Sequence, residues 1–127
     1  AEQGLRRLIA LKPQHAHAYN ALGYTLADRL NRPLEAIVLL EKALELSPGD
    51  GFILDSMGWA HFKAGHLDEA IRWLRKAYAV MQDPEVAGHL GEALWAKGLH
   101  AEARDVWKDA LKSAPDNTLL RNALERR

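Results

Sequence analysis

The six histidines are the side chains best suited to proton or metal chemistry at neutral pH, and their spacing argues against both. His15 and His17 form an H-x-H pair, but no third ligand accompanies them, whereas zinc sites take three or four protein ligands. We therefore interpret the pair as solvated turn residues. His61 is expected to pack between helices, and His66 and His100 to lie in surface turns between helices.

Motifs of activated nucleophiles and phosphate-binding loops are also missing from the sequence. It has no cysteine, so it offers no thiolate, disulfide or zinc knuckle. No serine lies in a G-x-S-x-G turn, and neither G-x-x-x-x-G-K nor G-x-G-x-x-G occurs. The carboxylates Asp68 and Glu69 lie where a helix should start, so the helix dipole accounts for them. We predict that the protein is not an enzyme and that it has no catalytic residue, no metal site and no cofactor.

Composition narrows the classes of partner. The 127 residues are 48% apolar and 27% charged, as in an ordinary single domain. The 17 basic and 17 acidic side chains cancel, so no excess of positive charge favours nucleic acid. No apolar run approaches the roughly 20 residues of a membrane-spanning helix, and we expect no membrane insertion. The absence of cysteine fits the cytosol and the periplasm equally.

Any site must be positioned by an internal repeat. The chain aligns on Ala36, Ala70 and Ala103, which are 34 and 33 residues apart. Three further sets keep nearly the same register: Leu40, Leu74 and Trp107; Ala43, Ala77 and Ala110; Gly23, Gly58 and Gly91. Within each copy, apolar residues recur three and four apart, which predicts paired helices rather than strands. The small residues should let the two helices of a pair cross closely.

Helix ends can also be predicted. Gly65 and Gly98 fall where the first helix of a pair should stop, and glycine favours the left-handed conformation of such a cap. Asp83, Pro84 and Glu85 are typical of a helix start, with an N-cap, a proline in the first turn and an acid near the dipole.

Period and residue types resemble the tetratricopeptide repeat family, whose pattern is W-x2-L-G-x2-Y, then A-x3-F, then P. The first copy has Tyr19, Leu22, Gly23, Leu26, Ala36, Leu40 and Pro48. The second has Leu54, Met57, Gly58, His61, Ala70 and Leu74, with Gln82 in place of proline. The third has Ala87, Leu90, Gly91, Leu94, Ala103, Trp107 and Pro115. The first copy has an extra residue near Asn31–Pro33. The second copy has a shortened connection to the next copy, at Asp83 and Pro84.

The resemblance implies an all-α, right-handed superhelical solenoid of antiparallel helix pairs, with about eight helices. The predicted units are residues 1–15, the second helix of a truncated preceding repeat; 16–50, 51–83 and 84–117, three repeats; and 118–127, a capping helix. In the first unit Ala1, Leu5 and Pro13 match the repeat pattern. Leu5, Leu8 and Ile9 would lack part of their cover, so we expect more chain upstream or a partner there, including self-association.

Family geometry further implies a concave groove lined by the first helix of each pair. The implied groove residues are His17, Asn20, Tyr24, Asp28, Phe52, Asp55, Trp59, Phe62, Lys63, Gly88, His89, Glu92 and Trp95. Asp55 and Glu92 would repel a terminal carboxylate, which argues against a carboxylate clamp. Aromatic side chains often dominate protein interfaces, so an extended or helical polypeptide segment with apolar anchors is the expected partner. Packing of these aromatics between repeats is the alternative.

Three stretches resemble more narrowly the C-terminal repeats of proteobacterial tetratricopeptide proteins, several of them outer-membrane lipoproteins. They are NALGYTLADR, DSMGWAHFKAG and HLGEALWAKG. This resemblance implies an adaptor of the bacterial envelope, in the periplasm or at the outer membrane, with the cytoplasm as the alternative. A purely architectural or self-associating solenoid segment remains the second functional hypothesis.

Overall fold

The computed structural model describes residues 2–127, and these residues form eight α-helices and no strand. The helices are α1 (Glu2–Leu11), α2 (Ala16–Asp28), α3 (Pro33–Leu46), α4 (Gly51–Lys63), α5 (Leu67–Val80), α6 (Pro84–Ala96), α7 (His100–Ser113) and α8 (Thr118–Glu125). The predicted all-α architecture is confirmed. Ala1, which the repeat alignment includes, lies outside the described residues.

Neighbouring helices pack as hairpins that stack along the chain. α2 packs on α3, α4 on α5, and α6 on α7, and each pair is joined by a short turn that reverses the chain. The first helices of the pairs also contact one another, α2 with α4 and α4 with α6, and α8 packs on α6. The helices α2, α4, α6 and α8 therefore form one continuous row, here called the inner row.

Close crossing within each pair depends on glycine. A methyl group at Gly23 would lie 2.6 Å from Leu40 Cγ, and one at Gly58 would lie 2.5 Å from Leu74 Cγ. At Gly91 a methyl group would overlap the indole ring of Trp107, which is fully buried. The equivalent positions therefore meet equivalent partners, and the predicted role of the glycines in close helix crossing is confirmed.

The turns within pairs explain one irregularity of the repeat. Gly65 and Gly98 have φ values of +84° and +93°, as the predicted left-handed caps require. Asn31 takes this conformation in the first pair, with φ 53°. That turn covers residues 29–32, whereas the second covers 64–66, so the extra residue of the first copy lies in the turn.

Side chains cap several helix starts. The predicted start at Asp83 is confirmed, since its carboxylate accepts a hydrogen bond from Glu85 N at 2.8 Å and Pro84 opens α6. His15 behaves differently from its prediction as a solvated residue. It is partly buried, and its Nδ1 accepts from Ala18 N at 3.1 Å, because the first turn of α2 needs an acceptor for its free N–H groups. His17 is exposed.

His61 is partly buried on α4 beside the turn to α5, and its predicted packing between helices stays a prediction. Its Nδ1 lies 3.0 Å from Nδ1 of His66, which is exposed at the start of α5. Burial, and then the neighbouring His66, lower the pKa of His61. The pair therefore belongs to the turn between helices, on the side of α4 that meets α5.

The first helix is only partly covered. Leu5 and Ile9 are half-buried and pack against the core that includes Leu22 and Leu40, while Leu11 is 80% exposed.

In the part of the chain from residue 2 onward, every helix is too short or too polar to cross a bilayer.

Candidate functional site

Trp59 lies at the centre of a polar and aromatic cluster that joins three helices of the inner row. Its ring stacks on His89 of α6, with 4.1 Å between ring centroids, and on Phe62, with 4.7 Å. Its Nε1–H donates to Asp28 Oδ1 of α2 at 3.0 Å. A single indole on α4 is thus held from both neighbouring repeats, and its position is fixed by tertiary packing.

A buried polar pair lies beside this indole. His89 Nδ1 is 2.9 Å from Asp55 Oδ1, and the two residues are only 9% and 5% exposed. Because an ionised carboxylate can only accept a hydrogen bond, Nδ1 carries the proton in this contact. The bond joins residues 34 positions apart, and it orients both the imidazole ring and the carboxylate.

Tyr24 of α2 closes the cluster on its other side. Its ring lies 6.2 Å from the His89 ring. Burial raises the pKa of Tyr24, and the nearby carboxylates of Asp28, Glu85 and Asp55 raise it further. The phenol therefore stays protonated at neutral pH and faces a region of negative potential.

Two cavities of the inner row lie between its helices. The first, here called the acidic pocket, encloses about 300 Å³ between α2, α4 and the start of α6. Its lining consists of Asn20, Ala21, Tyr24, Thr25, Phe52, Asp55, Ser56 and Glu85. The charged groups in this lining are both carboxylates, so the pocket offers acceptors and aromatic walls without a cation.

The second cavity, here called the apolar pocket, encloses about 210 Å³ between α4, α6 and α8. Its lining consists of Trp59, Glu85, Gly88, His89, Glu92, Leu119, Ala123 and Arg126. Leu119 is 68% exposed at its rim. Since Glu85 lines both cavities, the acidic and apolar pockets are adjacent parts of one groove.

Most of the groove residues implied by sequence lie in or beside these pockets. Asn20, Tyr24, Phe52 and Asp55 line the acidic pocket. Trp59, Gly88, His89 and Glu92 line the apolar pocket. Asp28 and Phe62 line neither pocket, but both contact Trp59. The assignment of these residues to partner binding stays a prediction.

The remaining three implied residues also line neither pocket. His17 is exposed near the start of α2. Lys63 holds its ammonium group 5.5 Å from the Trp59 ring centroid and also lines a separate depression at the turns between helices. Trp95 stacks on His100 of α7, with 3.8 Å between ring centroids.

The C-terminal segment reaches the same region. Arg127 Nη2 donates to Glu92 Oε2 at 3.0 Å, and its guanidinium lies 4.9 Å from the Trp95 ring centroid. Glu92 is therefore paired with a cation from its own chain. Trp95 is packed between this guanidinium and α7.

Sequence reasoning missed seven lining residues, which are Ala21, Thr25, Ser56, Glu85, Leu119, Ala123 and Arg126. Glu85 was attributed to the helix dipole, although it lies six residues before Gly91, just as His17 and Phe52 precede their glycines. That register was the available signal, although His17 shares it and lines neither pocket. The sequence held no signal for Leu119 and Arg126. The segment around α8 departs from the repeat pattern, and only its packing on α6 brings these residues to the groove.

One group of possible metal ligands occurs among residues 2–127. Ligand atoms of Asp55, Glu85 and His89 all lie within 4.8 Å of one another at the junction of the two pockets. The sequence prediction of no metal did not consider this group, because its members come from two helices.

The sequence pattern and this architecture agree with a known family. The tetratricopeptide repeat family matches residues 1–51 and 56–118, which is most of the chain. The chain belongs to the tetratricopeptide repeat family. A curated relative, the TPR repeat-containing protein PA4667 of Pseudomonas aeruginosa, is 54% identical over 91 residues, which cover 72% of this chain. The matched region is only 15% of the length of that relative.

Solved tetratricopeptide structures share the fold. The Thermus thermophilus protein TTC0263, described as a thermophilic TPR protein, superposes with a TM-score of 0.86 and is 25% identical, over 97% of this chain and 69% of its own. The first TPR domain of human RPAP3 superposes with a TM-score of 0.81 at 20% identity, over 90% of each chain. These likenesses confirm the solenoid architecture.

Proposed function

We propose that this tetratricopeptide repeat chain is a non-enzymatic scaffold that binds a polypeptide segment along the groove formed by the acidic and apolar pockets. The observation that carries the proposal is the continuity of the two pockets along the inner row through their shared residue Glu85. An extended segment could place neighbouring side chains in both. The family is one of protein-interaction scaffolds, which supports the same conclusion.

The chemistry of the groove favours side-chain recognition over recognition of a terminal carboxylate. Its lining carries the carboxylates of Asp55 and Glu85, which repel an anion, while Glu92 is already paired with Arg127. Its cation Arg126 lies at the far end, just after α8. Phe52 and Leu119 are 57% and 68% exposed beside the two pockets, so each offers apolar surface that a partner can cover.

A random peptide library displayed on phage tests the proposal. We expect selection on the wild-type chain to enrich peptides whose binding is lost in a Phe52→Ala, Leu119→Ala double variant. Truncating two anchor residues commonly weakens binding by about tenfold or more. Both side chains are largely exposed, so the variant should keep its fold, which circular dichroism can verify.

A matched control is available on the opposite helices. Val38 on α3 and Val80 on α5 are exposed to a similar degree, and a Val38→Ala, Val80→Ala variant should bind the enriched peptides as the wild type does. Failure to enrich any peptide, or equal binding by the groove and control variants, would contradict the proposal.

Self-association is a second candidate function, favoured by apolar surface near the start of the chain. Leu11 at the end of α1 and Leu34 on α3 are 80% and 65% exposed. If this surface joins two copies, sedimentation should show a dimer that a Leu11→Asp, Leu34→Asp variant dissociates. A wild-type chain that sediments as a monomer at high concentration would exclude it.

We also propose that the parent protein is an adaptor of the bacterial envelope, on the resemblance of the three stretches described above. The 54% identity to a Pseudomonas aeruginosa protein supports a bacterial parent. Cell fractionation with an antibody against the chain tests the compartment. Recovery with the periplasm or outer membrane is expected, and recovery with the cytoplasm would contradict this assignment.

A further inference from the structure

We propose that the acidic pocket is a subsite for an arginine side chain of the bound polypeptide. The inference rests on the proposed peptide-binding function for the origin of the arginine. The preference for arginine follows from the chemistry of the pocket itself. A small molecule that carries only the arginine side chain can therefore test it.

Three side chains that line the pocket offer hydrogen-bond acceptors. Asn20 Oδ1 is buried and has no hydrogen-bond partner, which is unfavourable for a buried acceptor. Asp55 is a buried carboxylate whose contact with His89 occupies one oxygen, Oδ1. Glu85 brings a second carboxylate from α6. A ligand group with several N–H donors and a positive charge would pair with both carboxylates, and it would satisfy Asn20 Oδ1 once that side chain turns toward it.

The walls of the pocket distinguish guanidinium from ammonium. Tyr24 and Phe52 line it, and a planar guanidinium stacks on aromatic faces as well as donating in a fork to carboxylates. The five donors of arginine also suit acceptors that come from three different helices. Lysine, a compact and strongly hydrated charge, would use the carboxylates and gain less from the rings.

A divalent cation is the competing occupant, because Asp55, Glu85 and His89 lie close enough together to ligate one. Two observations favour arginine. His89 Nδ1 already donates its proton to Asp55, so ligation through that atom would break an existing hydrogen bond. An ion held by Asp55, Glu85 and His89 would also leave the aromatic wall of Phe52 and the unpaired amide oxygen of Asn20 without a contact.

The test uses Nα-acetyl-arginine amide as the probe on the whole chain, with binding followed by NMR chemical shifts of backbone amides. We expect saturable shifts at residues of the acidic pocket. The matched Nα-acetyl-citrulline amide has the same shape without the charge, and it should produce none. The lysine analogue should bind more weakly than the arginine probe.

Two variants localise the effect. Glu85→Gln removes an exposed carboxylate from the pocket and should weaken binding of the arginine probe about fivefold. Asp55→Asn removes the buried charge and should weaken it by about tenfold or more. Glu69→Gln, an exposed carboxylate on α5, is the matched control and should bind the probe as the wild type does.

Equal shifts with the citrulline probe, or equal binding by Glu85→Gln and the wild type, would overturn the arginine subsite. So would displacement of the arginine probe by micromolar zinc with shifts at His89, since that result identifies a metal site. The phage-selected peptides separate the two proposals. Selected peptides that tolerate replacement of arginine by citrulline would leave the binding function standing and remove the subsite.

Discussion

The molecule has two regions of paired polar and charged side chains, and these regions differ in how deeply the paired side chains are buried. At the inner row, Asp55 and His89 form one short contact between buried side chains. Across α1 and α3, Arg6 and Arg32 bridge Glu2 and Glu35, with Arg6 Nη2 2.6 Å from Glu35 Oε2, and these arginine side chains are each 42% exposed.

The difference shows that the number of ion pairs is a poor guide to stability. The exposed network has more contacts, but water competes for each of them and salt screens them. In the buried pair, loss of one partner leaves a desolvated group without compensation. We therefore expect the single buried contact to matter more than the whole exposed network.

Removal of the buried imidazole is the strongest test of this comparison. We expect His89→Ala to lower the free energy of unfolding by about 3 kcal/mol, because Asp55 loses its donor and Trp59 loses a stacked ring. Urea denaturation measures the change. Asp55→Asn keeps an acceptor for His89 and should cost less; an equal or larger loss in that variant would contradict the explanation.

The indole hydrogen bond should have an intermediate effect. Trp59→Phe keeps an aromatic ring against His89 but loses the bond from Nε1 to Asp28, and we expect a loss of about 1 kcal/mol. A double-mutant cycle with Asp28→Ala measures the coupling of the two residues. Additive effects in the cycle would show that the bond contributes nothing.

The exposed network should have the smallest effect. Arg6→Ala breaks the contacts to Glu2 and Glu35, and we expect a smaller shift of the urea midpoint than for Trp59→Phe. The shift should shrink further at high salt because these charges lie in water. A salt-independent loss as large as that of His89→Ala would reverse the comparison.

Acid should erase the contribution of the exposed network. The hydrogen bonds from Arg6, and then those from Arg32, hold the pKa of Glu2 and of Glu35 below the ordinary value of 4.5. The folded chain therefore binds these protons less readily, so the stabilisation is present above pH 4.5 and is lost as the pH falls through the lowered pKa. Urea midpoints of wild type and Arg6→Ala should converge over that acid range.

Much of the architecture was predictable because it depends on local sequence. The register of Ala36, Ala70 and Ala103 predicted the helix pairs, and Gly65 and Gly98 predicted their turns. These features follow from backbone conformation and helical periodicity, which a sequence expresses directly. For the groove, the sequence predicted only which positions of α2, α4 and α6 share one helical face.

Other features required the assembled solenoid. Nothing in the sequence pairs Asp55 with His89, and nothing brings Leu119 of α8 to the rim of the apolar pocket. Trp95 illustrates the same limit, because its helical face did not distinguish the groove from the packing against His100.

The sequence by itself therefore determined the repeat, the helices and their caps. Only the tertiary structure decided which side chains meet, since contacts between helices depend on how α4, α6 and α8 stack over residues far apart in the chain. The adjoining acidic and apolar pockets are products of that stacking.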